Sequence, residues 1–364
     1  MNVYALLVAL VLFTALLMHG NRQGNKKYVI VACLMLLAVY GLRDAFSIGN
    51  DSSSSYLHLF QRMSEYTWAE AANLNGGSNA AYYLLNKLVY ELTNGDYQCF
   101  IFLISAFVTF CFGHLIYRYS PDPLQSILYH LGLLLYTFHF NALKQSVAMS
   151  ILLLAFDQIV NRRPIRFIVL TVIAAQFHFP ALVFLPAYWA AKLWPRRSYL
   201  VILAIVLTLT YRFRNELLNF MMSLYKDEDV ALSMEGVRFF RTKAIIMTVI
   251  VLAASVLRFP AKEDRLYNGL LVFMGIAIVF QTFCGYNNIF ERLADYYFQF
   301  AVIFIPMVFD RKVSRKSLLS WRYLEVINYI APILFCGFGV YRFITSTMQD
   351  PTLYPYRFFF QSIE

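Results

Sequence analysis

An all-helical membrane bundle of about twelve transmembrane spans is the fold class that the sequence predicts. Of the 364 residues, 60% are hydrophobic and 14% are charged, whereas a soluble domain is about 45–50% apolar and about 25% charged. Apolar runs of roughly the length of a membrane span recur along the whole chain. No polar stretch is long enough to bury a core of its own, so we expect a single integral membrane domain over residues 1–364.

The individual spans follow from the apolar runs, which need about 20 residues, or fewer where two short helices pair. In chain order, the predicted spans cover about 3–19, 28–42, 98–117, 124–139, 142–160, 166–177, 180–194, 199–211, 244–257, 266–284, 296–309 and 325–345. The two runs on either side of His178 are short, and we expect them to form a hairpin.

Loop charge sets the orientation of these spans. Lys and Arg cluster in alternate loops, at 21–27, 161–163, 195–197, 258–265 and 311–316, and such loops belong in the cytoplasm. Both termini then lie outside, together with two long external loops at about 43–97 and 212–243. The first loop contains an amphipathic stretch, Ala80 to Leu92, which we expect to form a short helix along the outer membrane surface.

The net charge of +10 is explained by these short loops. Because the basic residues do not cluster on a soluble face, we expect no nucleic-acid partner. The five cysteines lie in or beside apolar runs without the spacing of metal ligands. We interpret them as free thiols packed among helices, and we predict no metal site.

Ionisable residues at the ends of apolar runs form the candidate site. A charge at membrane depth costs about 2.5–3.5 kcal/mol on insertion scales, so such residues usually have a function. By the predicted topology they all emerge on the outer face. The first group is Arg43, Asp44, Asp51 and Tyr56, where an ionised carboxylate can accept a proton from a hydroxyl. The alternative is a solvated loop in which an Arg–Asp pair caps a helix.

The second group is Asn141, Lys144 and Gln145, at the outer start of a predicted span. Asn141 is a candidate N-cap, and the free N–H groups of a helix start favour an anion. Lys144 adds a positive charge and Gln145 adds a donor. The alternative is ordinary capping with a lysine that extends to the membrane surface.

Two further groups lie at the ends of later apolar runs. His178, at the turn of the predicted hairpin, is either a hydrogen-bonded structural residue or a site residue. Arg292 is a natural bidentate partner for phosphate. Tyr296 belongs either to a sugar platform or to the aromatic belt of a membrane protein.

Several catalytic signatures are absent from the sequence. It contains no Walker-type loop, no Gly-x-Ser-x-Gly elbow, no His-Glu-x-x-His motif and no dinucleotide fingerprint. There is also no row of intramembrane acidic residues of the kind found in coupled transporters.

The order of the polar groups resembles the EpsG-like family of Wzy-type polysaccharide polymerases. The resemblance rests on Gly41-Leu42-Arg43-Asp44 with Gly49, Asp51 and Tyr56, on Asn141 with Lys144-Gln145 and Ala148, on Phe177-His178 with Ala181, and on Glu291-Arg292 with Tyr296. It covers nearly the whole chain in order and spacing. One departure is Lys144, which stands where the family often has an arginine; lysine supplies charge but no bidentate fork.

The resemblance implies a glycosyltransferase of the bacterial cytoplasmic (inner) membrane, with a glycosyltransferase-C-like architecture and an active site on the periplasmic or external face. Its donor is a growing glycan on undecaprenyl diphosphate, and its acceptor is a new lipid-linked repeat unit. An acceptor hydroxyl attacks the anomeric carbon with inversion, and no metal or other cofactor is needed because the leaving group is already activated. Membrane lipid is a partner; whether a chain-length regulator and a flippase of the same pathway are partners stays open.

The resemblance also suggests roles for the candidate residues. Arg292 and Lys144 hold the diphosphate, with further contributions from Gln145, Asn141, Arg238 and Arg241. Asp51, Asp44 or His178 accepts the hydroxyl proton, and Arg43 orients the carboxylates. Tyr56 and Tyr296 are candidates for sugar binding.

Other function classes remain open from the sequence. An O-antigen ligase or another lipid-linked glycosyltransferase shares the donor chemistry of a polymerase. A flippase or transporter of lipid-linked oligosaccharide predicts charges in a central cavity and commonly an internal repeat. In this chain the charges are predicted at one face, and the sequence contains no internal repeat.

Overall fold

The computed structural model is all-helical, in agreement with the predicted fold class. It describes residues 2–18, 20, 22–49, 55–195, 198–217, 219, 242–258, 263–284, 288–310 and 321–361. Contacts between residues divide the chain into two compact units, Met1–Leu182 with Ala331–Glu364, and Val183–Ile330. A single membrane domain over the whole chain stays a prediction.

Among the described residues, ten α-helices lie wholly within the first unit. They are α1 (Val3–Met18), α2 (Arg22–Gly41), α3 (Ser55–Gln61), α4 (Trp68–Asn73), α5 (Ala80–Thr93), α6 (Tyr97–Tyr119), α7 (Pro123–Gly132), α8 (Leu135–Asn141), α9 (Leu143–Val160) and α10 (Pro164–Phe177). The amphipathic stretch at Ala80 forms α5, as predicted. Residues 43–97, predicted as a long external loop, therefore contain α3, α4 and α5 together with two 3-10 turns, Arg62–Ser64 and Leu74–Gly77.

Side-chain caps fix the start of several of these helices. Asp96 accepts a hydrogen bond from the Cys99 N–H at the start of α6, and Asp122 accepts one from the Gln125 N–H at the start of α7. Pro123 follows Asp122 at a position where its missing N–H costs nothing. These caps satisfy backbone donors that a helix start leaves without partners.

The predicted span at 124–139 is not one helix. The chain forms α7 and α8 instead, and Leu134 between them has a φ of 61°, which is left-handed. Hydropathy is high across this break, so the composition alone gives no sign of it. Near the break, α7 approaches the helix that contains Gly339 so closely that a Cβ on Gly132 would lie 2.5 Å from the Gly339 Cα.

The second unit contains α11 (Ala187–Ala190), α12 (Tyr199–Arg212), α13 (Thr242–Leu257), α14 (Arg265–Gln281), α15 (Asn288–Phe298) and α16 (Ala301–Phe309) among its described residues. The last long helix, α17 (Trp321–Gln349), contributes to both units. The predicted span at 180–194 does not form a continuous helix. A 3-10 turn covers Phe179–Phe184 and α11 has four residues, because Pro180 and Pro186 interrupt the run.

Among the described residues, fewer helices are long and apolar enough to cross a membrane than the twelve spans predicted. In the described residues, four helices are long and apolar enough to cross a membrane: Gln23–Gly41, Tyr97–Tyr119, Leu143–Val160 and Tyr323–Gln349. Helices α15 and α16, bent by 49°, make a fifth span if they cross together. Six further apolar segments are shorter, with 10–17 residues. The apolar helices indicate a membrane protein, but the predicted twelve spans are not confirmed.

We expect Gly132→Ala to destabilise the first unit by about 1–3 kcal/mol, because the added Cβ would collide with backbone atoms of Gly339. Thermal unfolding in detergent micelles measures the change. Gly337→Ala, in the same helix as Gly339, is the matched control, since a Cβ there meets nothing within 4 Å. Equal unfolding temperatures for the two variants would contradict the close approach of the helices.

Candidate active site

Lys144, in the first turn of α9, is surrounded by three tyrosines. Its Nζ donates to the Tyr83 hydroxyl at 3.1 Å and lies 4.7 Å from the centre of the Tyr83 ring. The ring centres of Tyr82 and Tyr56 lie 5.3 Å and 5.8 Å from the same atom. At these distances the ring faces attract a cation. We call Lys144, Tyr56, Tyr82 and Tyr83 the lysine cage.

The cage depends on the amphipathic character of α5. Tyr82 and Tyr83 lie on its buried face, together with Asn86, Lys87 and Val89. Burial raises the pKa of the Tyr82 phenol well above its ordinary value. The phenol therefore stays neutral, and the cage presents aromatic faces to the ammonium of Lys144.

The turn that contains His178 is held beside the start of α5. His178 ends α10, and its backbone N–H donates to the Ala174 carbonyl at 3.0 Å. The following N–H, of Phe179, donates to the Asn79 Oδ1 at 2.8 Å. Asn79 immediately precedes α5 and has a left-handed backbone, with φ 62° and ψ 31°. This conformation is more accessible to asparagine than to most other residues.

The structure thus places Lys144, Tyr56 and His178 around the first turn of α5. Helices α9 and α10 are joined by three residues and pack against each other, which puts the end of α10 beside the start of α9. The hydrogen bond from Lys144 to Tyr83 anchors the start of α9 to α5. The hydrogen bond from Phe179 to Asn79 anchors the end of α10 to the residue that precedes α5. The arrangement puts a cation, a half-buried imidazole and aromatic faces in one region.

Asn141 and Gln145 differ from the predicted arrangement. Asn141 is the last residue of α8, and the N-cap of α9 is Ala142, which makes no side-chain cap. The prediction that Asn141 caps the helix is therefore wrong, because the preceding segment remains helical through Asn141. Gln145 is buried, with 1% of its surface exposed.

Arg43 is fully buried and has partners in its own segment. Its Nη1 donates to the Tyr40 carbonyl at 2.7 Å and its Nε to the Ile48 carbonyl at 3.2 Å. The guanidinium also lies 4.7 Å from the centres of the Tyr40 and Phe140 rings. These contacts make Arg43 a packing centre for the end of α2.

The carboxylate of Asp44 stabilises a local turn. Its Oδ1 accepts from the Phe46 N–H at 3.1 Å, and its Oδ2 accepts from the Ser47 hydroxyl at 2.5 Å. Asp51, the other predicted carboxylate of this group, lies outside the described residues.

The C-terminal segment covers this turn, which the sequence analysis did not predict. The Asp44 and Gly49 N–H groups donate to the carbonyls of Arg357 and Thr352, and an isolated β-bridge joins Arg43 to Phe358. The signal available in the sequence is the aromatic run from Tyr354 to Phe360.

Arg292 lies in the second unit, on α15, and is exposed. The carboxylates of Glu291 and Asp295, on the same helix, both form ion pairs with Lys243 of α13. The Lys243 Nζ lies 3.4 Å from the Glu291 Oε1. Tyr296 is fully buried, so its ring belongs to the packing of the unit. Lys243 was not predicted, and its place in the sequence carries no distinctive motif. Arg238 and Arg241 lie outside the described residues.

A comparison with protein-family models matches residues 26–358 to the EpsG family. The chain belongs to the EpsG family. Because the match covers nearly all of the sequence, it includes every polar group considered above. Comparison with curated proteins and with solved structures gives no match.

The EpsG family is associated with exopolysaccharide polymerisation, which indicates a glycosyltransferase-type activity on lipid-linked saccharides. The family is membrane-associated, in agreement with the long apolar helices of this chain. The resemblance predicted from the order of polar residues is therefore confirmed at the level of the family.

We expect Asn79→Gly to loosen the His178 turn, because it removes the acceptor for the Phe179 N–H while keeping a residue that tolerates a positive φ. Loss of one hydrogen bond costs about 0.5–1.5 kcal/mol, so modification of His178 by diethylpyrocarbonate should accelerate several-fold. Peptide mass spectrometry measures the rate. Asn75→Gly is the control, since Asn75 has a φ of 53° in the same segment; equal rates would refute the anchoring role of Asn79.

Lys243→Ala should destabilise the second unit by about 3–5 kcal/mol, because it leaves the carboxylate of Asp295 buried without its cation. Chemical unfolding in mixed micelles measures the loss. Arg62→Ala breaks the exposed pair with Glu65 and should cost about 0–1 kcal/mol. A Lys243 variant as stable as the Arg62 variant would contradict a structural role for this pair.

Proposed function

We propose that the chain polymerises lipid-linked oligosaccharide repeat units. It transfers a growing glycan from undecaprenyl diphosphate to the terminal sugar hydroxyl of an incoming lipid-linked repeat, with inversion at the anomeric carbon. The family match over residues 26–358 supports a polymerase-like role. The grouping of Lys144, Tyr56 and His178 around the first turn of α5 is the observation that carries the assignment to particular residues.

Lys144 is the proposed cation for the leaving diphosphate. Its ammonium has three donors, one of which goes to the Tyr83 hydroxyl. The ring contacts hold the long side chain in place without neutralising its charge. A fixed cation stabilises the negative charge that develops on the diphosphate as the glycosidic bond breaks.

His178 is the proposed base for the acceptor hydroxyl. Its half-buried ring lies at a helix end held by a backbone hydrogen bond, and a neutral imidazole can accept a proton near neutral pH. The carboxylate of Asp44 is occupied by two local donors, which makes it the weaker candidate. Asp51 remains an alternative base.

The structure supports the remaining predicted residues as substrate contacts to different degrees. The half-buried Tyr56 offers a ring face to a sugar as well as to Lys144. Arg292, which is exposed, stays a candidate for binding a lipid diphosphate, as do Arg238 and Arg241. The burial of Tyr296 argues against direct sugar contact. The proposed reaction uses no metal or nucleotide, because the lipid diphosphate is already an activated leaving group.

Reconstitution of the full chain with purified lipid-linked repeat units tests this function, with gel separation of the products. The wild-type chain should produce a ladder of polymers. Lys144→Ala should reduce the rate by about 10²–10³-fold, the usual loss for one group that stabilises developing charge, while Lys144→Arg should retain activity because it keeps the charge. Lys192→Ala is the matched control, since Lys192 lies 4.1 Å from the Tyr188 ring centre in the other unit.

Other products would overturn the proposal in distinct ways. Transfer of the glycan to a different acceptor would identify a ligase, and movement of lipid without new bonds would identify a flippase. Normal ladders from well-folded Lys144→Ala and His178→Ala variants would remove both residues from the site.

A further inference from the structure

An apolar groove runs between α2 and α6 in the first unit, and none of its lining residues belongs to the lysine cage. The helices are antiparallel, because Gly41 lies beside Phe102 at one end and Cys33 beside Gly113 further along. The groove has a volume of about 360 Å³. Leu37 and Ala106 line one end of it, and Lys26, His114 and Tyr117 line the other.

Small side chains create the depth of this groove. A Cβ on Gly113 would lie 2.6 Å from the Cys33 Sγ, so the two helices touch there and form a floor. Large apolar side chains rise on both sides, including Ile30, Leu34 and Phe110, which are 51%, 60% and 64% exposed. In a membrane protein, such a surface is covered by hydrocarbon.

The length of the groove matches one leaflet of a bilayer. It extends along α2 from Lys26 to Leu37, which at about 1.5 Å per residue is about 16 Å. The hydrocarbon core of a bilayer is about 30 Å thick, so the groove accommodates a chain from one side only. Both helices are among the four long enough to span a membrane.

The charge at the lysine end favours an anion. Lys26 and Lys27 are exposed at the start of α2. The carboxylate of Asp157, beside the groove residue His114, accepts from the His114 Nε2 at 2.8 Å and from the Tyr119 hydroxyl at 2.6 Å, and it also pairs with Arg118. Its negative charge is therefore engaged by groups of α6. Asp122, which interacts electrostatically with Tyr28, accepts two hydrogen bonds from Gln125. The exposed charges at this end of the groove include those of Lys26 and Lys27.

We propose that this groove binds one acyl chain of an anionic membrane phospholipid, with the phosphate of the head group on Lys26. The acyl chain packs against the apolar walls of the groove, and the head group then lies at the basic end, next to Lys26. This site is independent of the proposed polymerase chemistry, because it shares no residue with the lysine cage or with His178.

Native mass spectrometry of the full chain in detergent, with dioleoylphosphatidylglycerol or dioleoylphosphatidylcholine added, tests the proposal. The wild-type chain should retain one phosphatidylglycerol with at least a fivefold preference over phosphatidylcholine. Ala106→Phe, which fills the groove, should lower binding of the anionic lipid at least fivefold. Lys26→Gln should abolish the preference between the two lipids, whereas Lys26→Arg should keep it.

Matched controls separate the site from general lipid contact. Leu103→Phe adds bulk elsewhere on the exposed face of α6, and Arg166→Gln removes an exposed cation on α10; neither should change the binding. Equal lipid retention by Ala106→Phe and Leu103→Phe would overturn the proposal. Two further results would also overturn it. One is displacement of the bound phosphatidylglycerol by a polyprenyl phosphate at a lower concentration than that of the phosphatidylglycerol. The other is displacement of this lipid by a second copy of the chain.

Discussion

Backbone hydrogen bonding without water is the constraint on which this fold depends. A peptide group left unpaired in hydrocarbon costs several kcal/mol, so a chain at membrane depth is helical or is covered by protein. The breaks in the helices follow the same rule. At the α7–α8 break, the Leu134 N–H still donates to the Leu131 carbonyl at 2.9 Å, and at the end of α10 the His178 N–H donates to Ala174. Irregular backbone therefore occurs where local carbonyls or side chains supply partners.

The sequence predicts the helical class and most helix positions, because apolar runs carry that information locally. It does not predict where an apolar run breaks. Hydropathy measures composition, whereas the break at Leu134 depends on a left-handed backbone. In the 180–194 run, the prolines were a readable signal that an average over the run conceals. Together these breaks account for part of the difference between the predicted and the structural span counts.

The candidate site was predictable residue by residue but not in its connections. Lys144 and His178 stand out because a charged or titratable group at the end of an apolar run is unusual. Their partners lie far along the chain, since Tyr83 is 61 positions from Lys144 and Asn79 is 100 positions from Phe179. No local pattern encodes such pairs. The prediction that Asn141 caps α9 was wrong because α8 extends through Asn141, so that the N-cap of α9 is the next residue, Ala142.

The docking of the C-terminal segment affects the order of assembly. The Tyr356 hydroxyl donates to the Val39 carbonyl across a separation of 317 positions, and the Tyr4 hydroxyl donates to Leu353. A growing chain delivers α1 and α2 to the bilayer long before Leu353 and Tyr356 leave the ribosome. The end of α2, with the buried guanidinium of Arg43, therefore stays uncovered until residues 352–358 have been synthesised and can dock. A chain interrupted before Thr352 would lack the carbonyls that accept from the Asp44 and Gly49 N–H groups, so its α2 end would keep open backbone donors.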